Sequence, residues 1–450
     1  MPAPRTVGAR RRITRANLFV AFAFTIMADP VSSVAYAVEA ALGALDGARG
    51  SLVPTMACVV GIIALVAAGY HGLIARFPNG GGGAEGLATA FGEGWAFLPL
   101  GALLVDFTLT IAVSCAAAGS ALIAYVPELA PGRVLLATGL VLLVAAGTLP
   151  GHRSRIVFAT ATLAFVATTA LVLVLGSGSS AEGATPALVG DAAFVPVLLA
   201  LPLGMALATG VEAPSNAIAQ LGELDSAGRR RFGQWTLWIM LAIVGVLTLG
   251  LAALAVRYGI GAPAPDSTVL ADVAKRATGG GGAFAAFQAA SAALLLAAAA
   301  SSFLAGSGLL EALANHGDGQ DAGLLPSRFR MTNRWYVPVW GIAVLAAVAA
   351  ALVVGSGGHE QELVHYYAVA VFASFLGALV AASALSLRER RLRSAAVAAA
   401  GVVCVAIVLA LNLRRLDPVV SLAASAAVSL LLWRTWVARG RPGGVARIAR

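Results

Sequence analysis

Residues 28–39 read ADPVSSVAYAVE and sit inside an apolar segment, 18–42, of roughly twenty-five residues. That is long enough to cross a bilayer. A lipid-facing span carries no charge, yet this one holds Asp29 and Glu39, with Pro30, Ser32, Ser33 and Tyr36 between them. Pro30 removes a backbone donor and disfavours the α conformation at Asp29, so a break in the helix is expected here. Irregular backbone at membrane depth is tolerated only where it lines a cavity or is buried in protein. Freed carbonyls, two hydroxyls, a phenol and a carboxylate would converge at such a break. Together they form the donor set of a small-cation site in a transporter. Asp29 has a second reading, as the cap of the half-helix after Pro30. Glu39, a turn beyond Tyr36, reads as a gate or as one half of a helix pair.

Outward from this stretch the composition agrees. The chain has 450 residues, 59% of them hydrophobic and 11% charged, with a mean hydropathy of +0.88. This excludes a soluble globular domain and points to one polytopic membrane domain over 1–450. Arg5 and Arg10 to Arg12 make a basic start, but the apolar stretch behind them is too long for a signal peptide and lacks a cleavage site. The net charge of +9 reports loops facing the cytoplasm and the membrane lipid, with no nucleic-acid partner implied. Cys58, Cys115 and Cys404 lie in apolar segments without motif spacing, so neither disulfide nor structural metal is expected. No G-x-S-x-G or H-E-x-x-H occurs, and the five histidines are scattered at loops and helix ends. An enzyme is not expected, nor a cofactor.

Hydropathy predicts an all-α membrane protein of twelve helices: 17–45, 52–75, 95–125, 133–150, 154–176, 193–221, 234–256, 284–313, 336–355, 363–387, 394–411 and 417–438. With the N-terminus inside, 23 of the 30 lysines and arginines fall on the cytoplasmic side. Both termini are therefore expected there, in basic tails at 1–16 and 439–450. The sixth helix is interrupted like the first, at Gly204 to Asn216, reading GMALATGVEAPSN. These are the first helices of two sets of five, 17–176 and 193–387, with two further helices at 394–438. An odd number per set inverts the second set, and paired interruptions mark a transporter site near the midplane.

The third helix contains LLVDFTLTIAVS (103–114). Asp106, Thr110 and Ser114 are spaced by four and share one face. An intramembrane carboxylate is a functional candidate by default, although a structural hydrogen bond would also account for Asp106, and helix-to-helix contacts for Thr110 and Ser114. On the sixth helix Thr209 and Glu212 share a face. Asp29, Asp106 and Glu212 facing one low-dielectric site need a compensating cation or proton. A metal cation and a proton would then compete for, or share, the same oxygens. All the donors are oxygens, which suit hard cations. No glycine lies between Met27 and Glu39 to cradle a substrate carboxylate, and Asp106 would repel one, though an amine passes both tests. The run NGGGG (79–83) is followed by no Lys-Ser/Thr and reads as a flexible cytoplasmic turn. Gly279 to Gly282 reads as another linker.

Taken together, DPVSSVAYAVEAAL (29–42), FPNGGGGAEGLA (77–88), LLVDFTLTIAVS, ALATGVEAPSN (206–216) and HYYAVAVFASFLGAL (365–379) resemble the amino acid–polyamine–organocation (APC) superfamily in order and content. More narrowly, the chain is similar to the KUP-type and KimA-like potassium importers. The resemblance implies a LeuT-type fold of five plus five inverted helices plus two, a homodimer, and proton-coupled potassium uptake by alternating access. It places potassium at Tyr36, Asp106, Thr110 and Thr209, with Ser114 beside them, and the proton at Asp29 and Glu212. The alternative within the superfamily is an amino acid or amine permease. One departure is Gly-Ser-Gly-Leu-Leu at 306–310, where that group has an Asp-Phe-Pro-Arg-like run. The soluble C-terminal domain of those importers does not follow the twelfth helix, so regulation through it is not expected.

Overall fold

Helices make up nearly all of the structure, a computed structural model that describes residues 22–151, 154–178, 194–221, 224–316 and 323–445. The basic tail at 1–16, the start of the first helix at 17–21, His152 and Arg153, residue 193 and the end of the C-terminal tail at 446–450 lie outside the described residues. The chain begins with a helical turn at 22–26, then α1 (Ala28–Ser32) and α2 (Val34–Ala44). Next come α3 (Leu52–Arg76), α4 (Gly82–Phe91), α5 (Phe97–Tyr125), α6 (Arg133–Thr148) and α7 (Ser154–Gly178). The second interrupted segment is α8 (Phe194–Gly204), a 3-10 turn at Met205–Ala208, and α9 (Ala213–Ala217). It is followed by α10 (Ser226–Arg257), α11 (Val269–Thr278) and α12 (Gly281–Asn315). The chain closes with α13 (Val339–Gly355), α14 (Glu360–Arg388), α15 (Leu392–Asn412) and α16 (Leu416–Ala438).

Among the described residues, ten helices are long and apolar enough to cross a membrane, and α2 and α13 are shorter apolar helices. Two helices were not expected from hydropathy, α4 and α11. The local signals of α11 are present. Thr268 Oγ1 accepts from Ala271 N at 3.1 Å, Asp272 lies in the first turn of α11, Lys275 and Arg276 in its last, and Gly279 ends it at φ 69°. These are a cap, dipole-matched charges and a left-handed stop. A bilayer-length hydropathy window averages over so short and polar a helix.

The centre of the bundle is α5, buried on every side from Leu109 to Ala121. It packs along α12 and α14, with α16 on its far side. A Cβ on Gly101 would stand 2.7 Å from the Ser429 backbone nitrogen, so only glycine lets α5 and α16 approach this closely. At one end of the bundle Arg76 grips Glu389 through Nε–Oε1 (2.8 Å) and Nη2–Oε2 (2.9 Å) and also donates to Ser386 Oγ (2.9 Å). This partner holds the Glu389 carboxyl below the usual glutamate range.

Candidate ion and substrate site

The first interruption is a kink rather than a full break. Asp29 and Pro30 stay inside helical α1, and the irregular residues are Met27 and Ser33. Pro30 is the third residue of a short helix, where a missing N–H costs little. Nor are the carbonyls there free, as the sequence led us to expect. Ser32 Oγ donates to Asp29 O (2.7 Å), and Ser33 Oγ donates to Pro30 O (2.6 Å) with Leu207 O also in range (3.1 Å). The serine hydroxyls thus occupy the carbonyls of the kink itself. The second interruption is a true break. Thr209 is extended (ψ 138°) and Gly210 left-handed (φ 72°). The two interruptions meet directly: a Cβ on Gly210 would stand 2.8 Å from Pro30 Cδ and 2.9 Å from Asp29 Oδ2.

Around this crossing the polar side chains gather. Asp106 is 2% exposed, and both its carboxylate oxygens are buried without a hydrogen-bond partner. It lies within electrostatic reach of Glu212 and Asp29. The Tyr36 phenol is buried and unpartnered and faces Thr209 and Tyr367, with Asp29 and Asp106 in reach. Its ring meets that of Tyr367 edge-on, with centroids 6.5 Å apart. Thr110 Oγ1 and Tyr367 OH are 2.7 Å apart. Thr209 Oγ1 donates to Ala206 O (2.8 Å), leaving its lone pairs for another partner. Ser114, one turn along α5 from Thr110, is buried with an unpartnered Oγ. A buried, unpartnered carboxylate is costly, and a cation among these hydroxyls and phenols would relieve that cost.

Asp29 also lines a cavity of about 640 Å³ together with Phe107, Ser302 and Ala213. Ser302 Oγ is buried and unpartnered. At its far end this cavity reaches Gly151 and the loop residues Trp335 to Pro338. The Asn333 side chain braces that loop: its Oδ1 accepts from Trp335 N (2.8 Å) and Val337 N (3.1 Å), and its Nδ2 donates to Leu149 O (2.8 Å).

Glu212 does not line this cavity. Its side chain is 5% exposed, with Oε2 unpartnered, in a small enclosed pocket with Tyr70, Gly81, Gly83, Asn216 and Ser374. The glycine run is therefore not a loose turn. A Cβ on Gly82 would stand 2.4 Å from Asn216 Oδ1, so the loop is pressed onto the segment that follows the second break.

Glu39 is remote from the cluster. Its Oε2 accepts from Val269 N at 2.8 Å and so caps α11. It borders a separate cavity of about 360 Å³ with Gln361, His365 and Arg415. Nearby, Glu360 Oε2 accepts from Ser120 Oγ (2.6 Å), which in turn accepts from Arg133 Nη1 (2.6 Å). Two residues of the central cluster and its pocket escaped the sequence reading, Tyr367 and Tyr70. Tyr367 lies within HYYAVAVFASFLGAL, where nothing in the pattern separates it from Tyr366.

A helical bundle with two interrupted segments crossing beside buried, unpartnered carboxylates is the architecture of a multi-pass membrane transporter, not of an enzyme. The amino acid permease family model matches residues 17–430, and the chain belongs to that family. It is 29% identical over 366 residues to the potassium transporter KimA of Bacillus subtilis, a match covering 78% of this chain and 58% of KimA. The chain thus spans about 58% of that relative's length. Crystal structures of variants of an Eremococcus coleocola manganese transporter share its fold with a TM-score of 0.50. Identity to them is 14–15%, and 98% of each chain is covered.

Proposed function

We propose that the protein takes up potassium across the cell membrane together with protons. Supporting this is Asp106, whose two carboxylate oxygens are buried without partners beside Tyr36 and Tyr367. A weakly hydrated monovalent cation is well served by several oxygens of modest strength around one charge. Tyr36, Asp106, Thr110 and Thr209 hold the ion, with Ser114 one turn away. Asp29 and Glu212 carry the proton. Asp29 and Glu212 lie within electrostatic reach of one another, so charge on one disfavours charge on the other, and a proton and a cation are thereby linked. The likeness to KimA supports the same cargo.

In this reading the ten long helices, the interrupted first segment and α13 make twelve crossings, in two inverted sets of five plus two. The basic loops face the cytoplasm. The wide cavity past Asp29 is then open to the inside, and α1, α2, α8 and α9 move against α5, α12 and α14. The test is rubidium uptake and growth at low potassium in cells lacking their own potassium transport. The wild type restores growth and Asp106→Asn does not. A well-expressed wild type that gives no rescue removes the proposal.

A second reading, an amino acid or amine permease, is favoured by the cavity itself. About 640 Å³ beside Asp29 is far more than a bare ion fills. Selective thermal stabilisation by an organic amine at constant potassium would establish it.

A further inference from the structure

Glu212 and Asp29 face different spaces. Asp29 opens onto the wide cavity that reaches Gly151 and Pro338. Glu212 turns instead into the pocket beneath the glycine loop, which has no room for a water molecule. We propose that this pocket is a separate proton exit for Glu212, sealed by the glycine loop and oriented by Tyr70, while the cation leaves past Asp29. The proposal rests on the proton-coupled reading above.

The seal is built from backbone. Gly80, Gly81 and Gly82 have φ of 90°, 91° and 42°, conformations that glycine adopts at little cost. A Cβ on Gly80 would stand 3.0 Å from Asn216 O, and one on Gly82 2.5 Å from Ser215 Oγ. The loop is fastened from the side, where Asn79 Oδ1 accepts from Arg229 Nη1 at 2.8 Å. A hinge of glycines packed on the 215–219 segment and tied to α10 by this contact lifts only by parting from that segment.

Around Glu212, the ionisable groups in reach are Asp29 on α1, Asp106 on α5 and Tyr70 on α3. No basic side chain lines its pocket among the described residues. Nothing there fixes the carboxyl as a permanent anion, and the hydroxyls of Tyr70 and Ser374, hydrogen-bonded to each other, line the same pocket and can orient it. When the loop lifts, a water molecule reaches the carboxyl. The O–H bond of Glu212 breaks, the proton passes to that water, and the carboxylate keeps the electron pair. Discharge through the wide cavity would place the proton beside the departing cation, and two like charges would share one low-dielectric exit. Separate mouths remove that repulsion.

The test uses the full chain in proteoliposomes. One measurement is rubidium exchange at equal potassium and pH on both sides, which moves no net proton. The other is accumulation driven by an inward proton gradient. Tyr70→Phe keeps the ring contact with Phe375 (6.0 Å, edge-on) and removes only the hydroxyl. Its gradient-driven accumulation should fall about tenfold or more, with a displaced pH profile, while exchange stays within about twofold. Ser374→Ala, at the same pocket, should act in the same direction. Equal loss in both assays, or wild-type behaviour in both, overturns the proposal. Wild-type protein with no rubidium exchange at all overturns the potassium reading and this inference with it. Wild-type exchange with unsplit variants overturns only the separate exit.

Discussion

Asp106→Asn separates a cation site from a structural carboxylate. The substitution keeps the shape of the side chain and removes one unit of charge. Asp106 is 2% exposed and neither oxygen has a protein partner, so the lost charge is not replaced by a neighbour. A unit charge pair at about 4 Å, with an effective dielectric of about 20, is worth about 4 kcal/mol. At about 1.4 kcal/mol per decade that approaches a thousandfold in affinity. The phenol and hydroxyl oxygens remain, so the expected loss lies between about thirtyfold and about a thousandfold. The assay is thermal unfolding of purified protein in potassium chloride against choline chloride at one ionic strength, which holds screening constant. At a potassium concentration about a hundred times Kd, the wild type gains about 2.7 kcal/mol, and the variant at the same concentration gains between about 0.9 kcal/mol for a thirtyfold loss and under about 0.1 kcal/mol for a thousandfold one. Potassium stabilisation of Asp106→Asn equal to that of the wild type would refute the reasoning.

Other consequences are as direct. Tyr367→Phe deletes the 2.7 Å contact with Thr110. It should weaken rubidium uptake by up to about tenfold, from a contact worth about 0.5–1.5 kcal/mol, seen as a raised half-saturation concentration. Gly210→Ala forces a methyl against Pro30 at a left-handed position and should cost at least about 1–2 kcal/mol, read as a lower melting temperature in detergent. Gly308→Ala, with nothing within 4 Å, is the control and should not lower it. Arg76 holds the Glu389 carboxyl below its usual range. The resulting stability is present above the ordinary glutamate value, about 4.3, and is lost as pH falls through the lowered one. A pH series of melting temperatures should show that acid limb in the wild type and a flatter one in Glu389→Gln.

Charges inside apolar segments were the readable part of the sequence. Asp29, Asp106 and Glu212 stand out because a bilayer tolerates few of them, and helical spacing put Thr110 and Ser114 on the face of Asp106. Tyr367 was not readable: a tyrosine among alanines and phenylalanines reads as packing until a partner from another helix is known. Glu39, read as a gate or as one half of a helix pair, has a partner that only the fold could name. It lies one turn from Tyr36, yet its partner is the backbone of α11, 230 residues along the chain. The glycine run gave its composition but not its contacts, since flexibility in isolation and close packing call for the same residue. Pro30 marked the right place but the wrong geometry, because it falls in the first turn of α1, where its missing N–H is tolerated, and Ser32 and Ser33 donate to the carbonyls of Asp29 and Pro30.

The mouth of the wide cavity carries a consequence of its own. Its rim at 335–338 is shaped by the amide of Asn333, which also ties it to the end of α6. Trp335 and Tyr336 on that rim expose their side chains, although Tyr336 sits at a left-handed φ of 58°. The aperture is thus a main-chain dimension, set by the Asn333 amide together with the backbone hydrogen bonds that close the loop. Descendants of this chain can exchange the rim's side chains to suit a different leaflet or ionic medium and keep the same doorway. Its width would change most directly through Asn333.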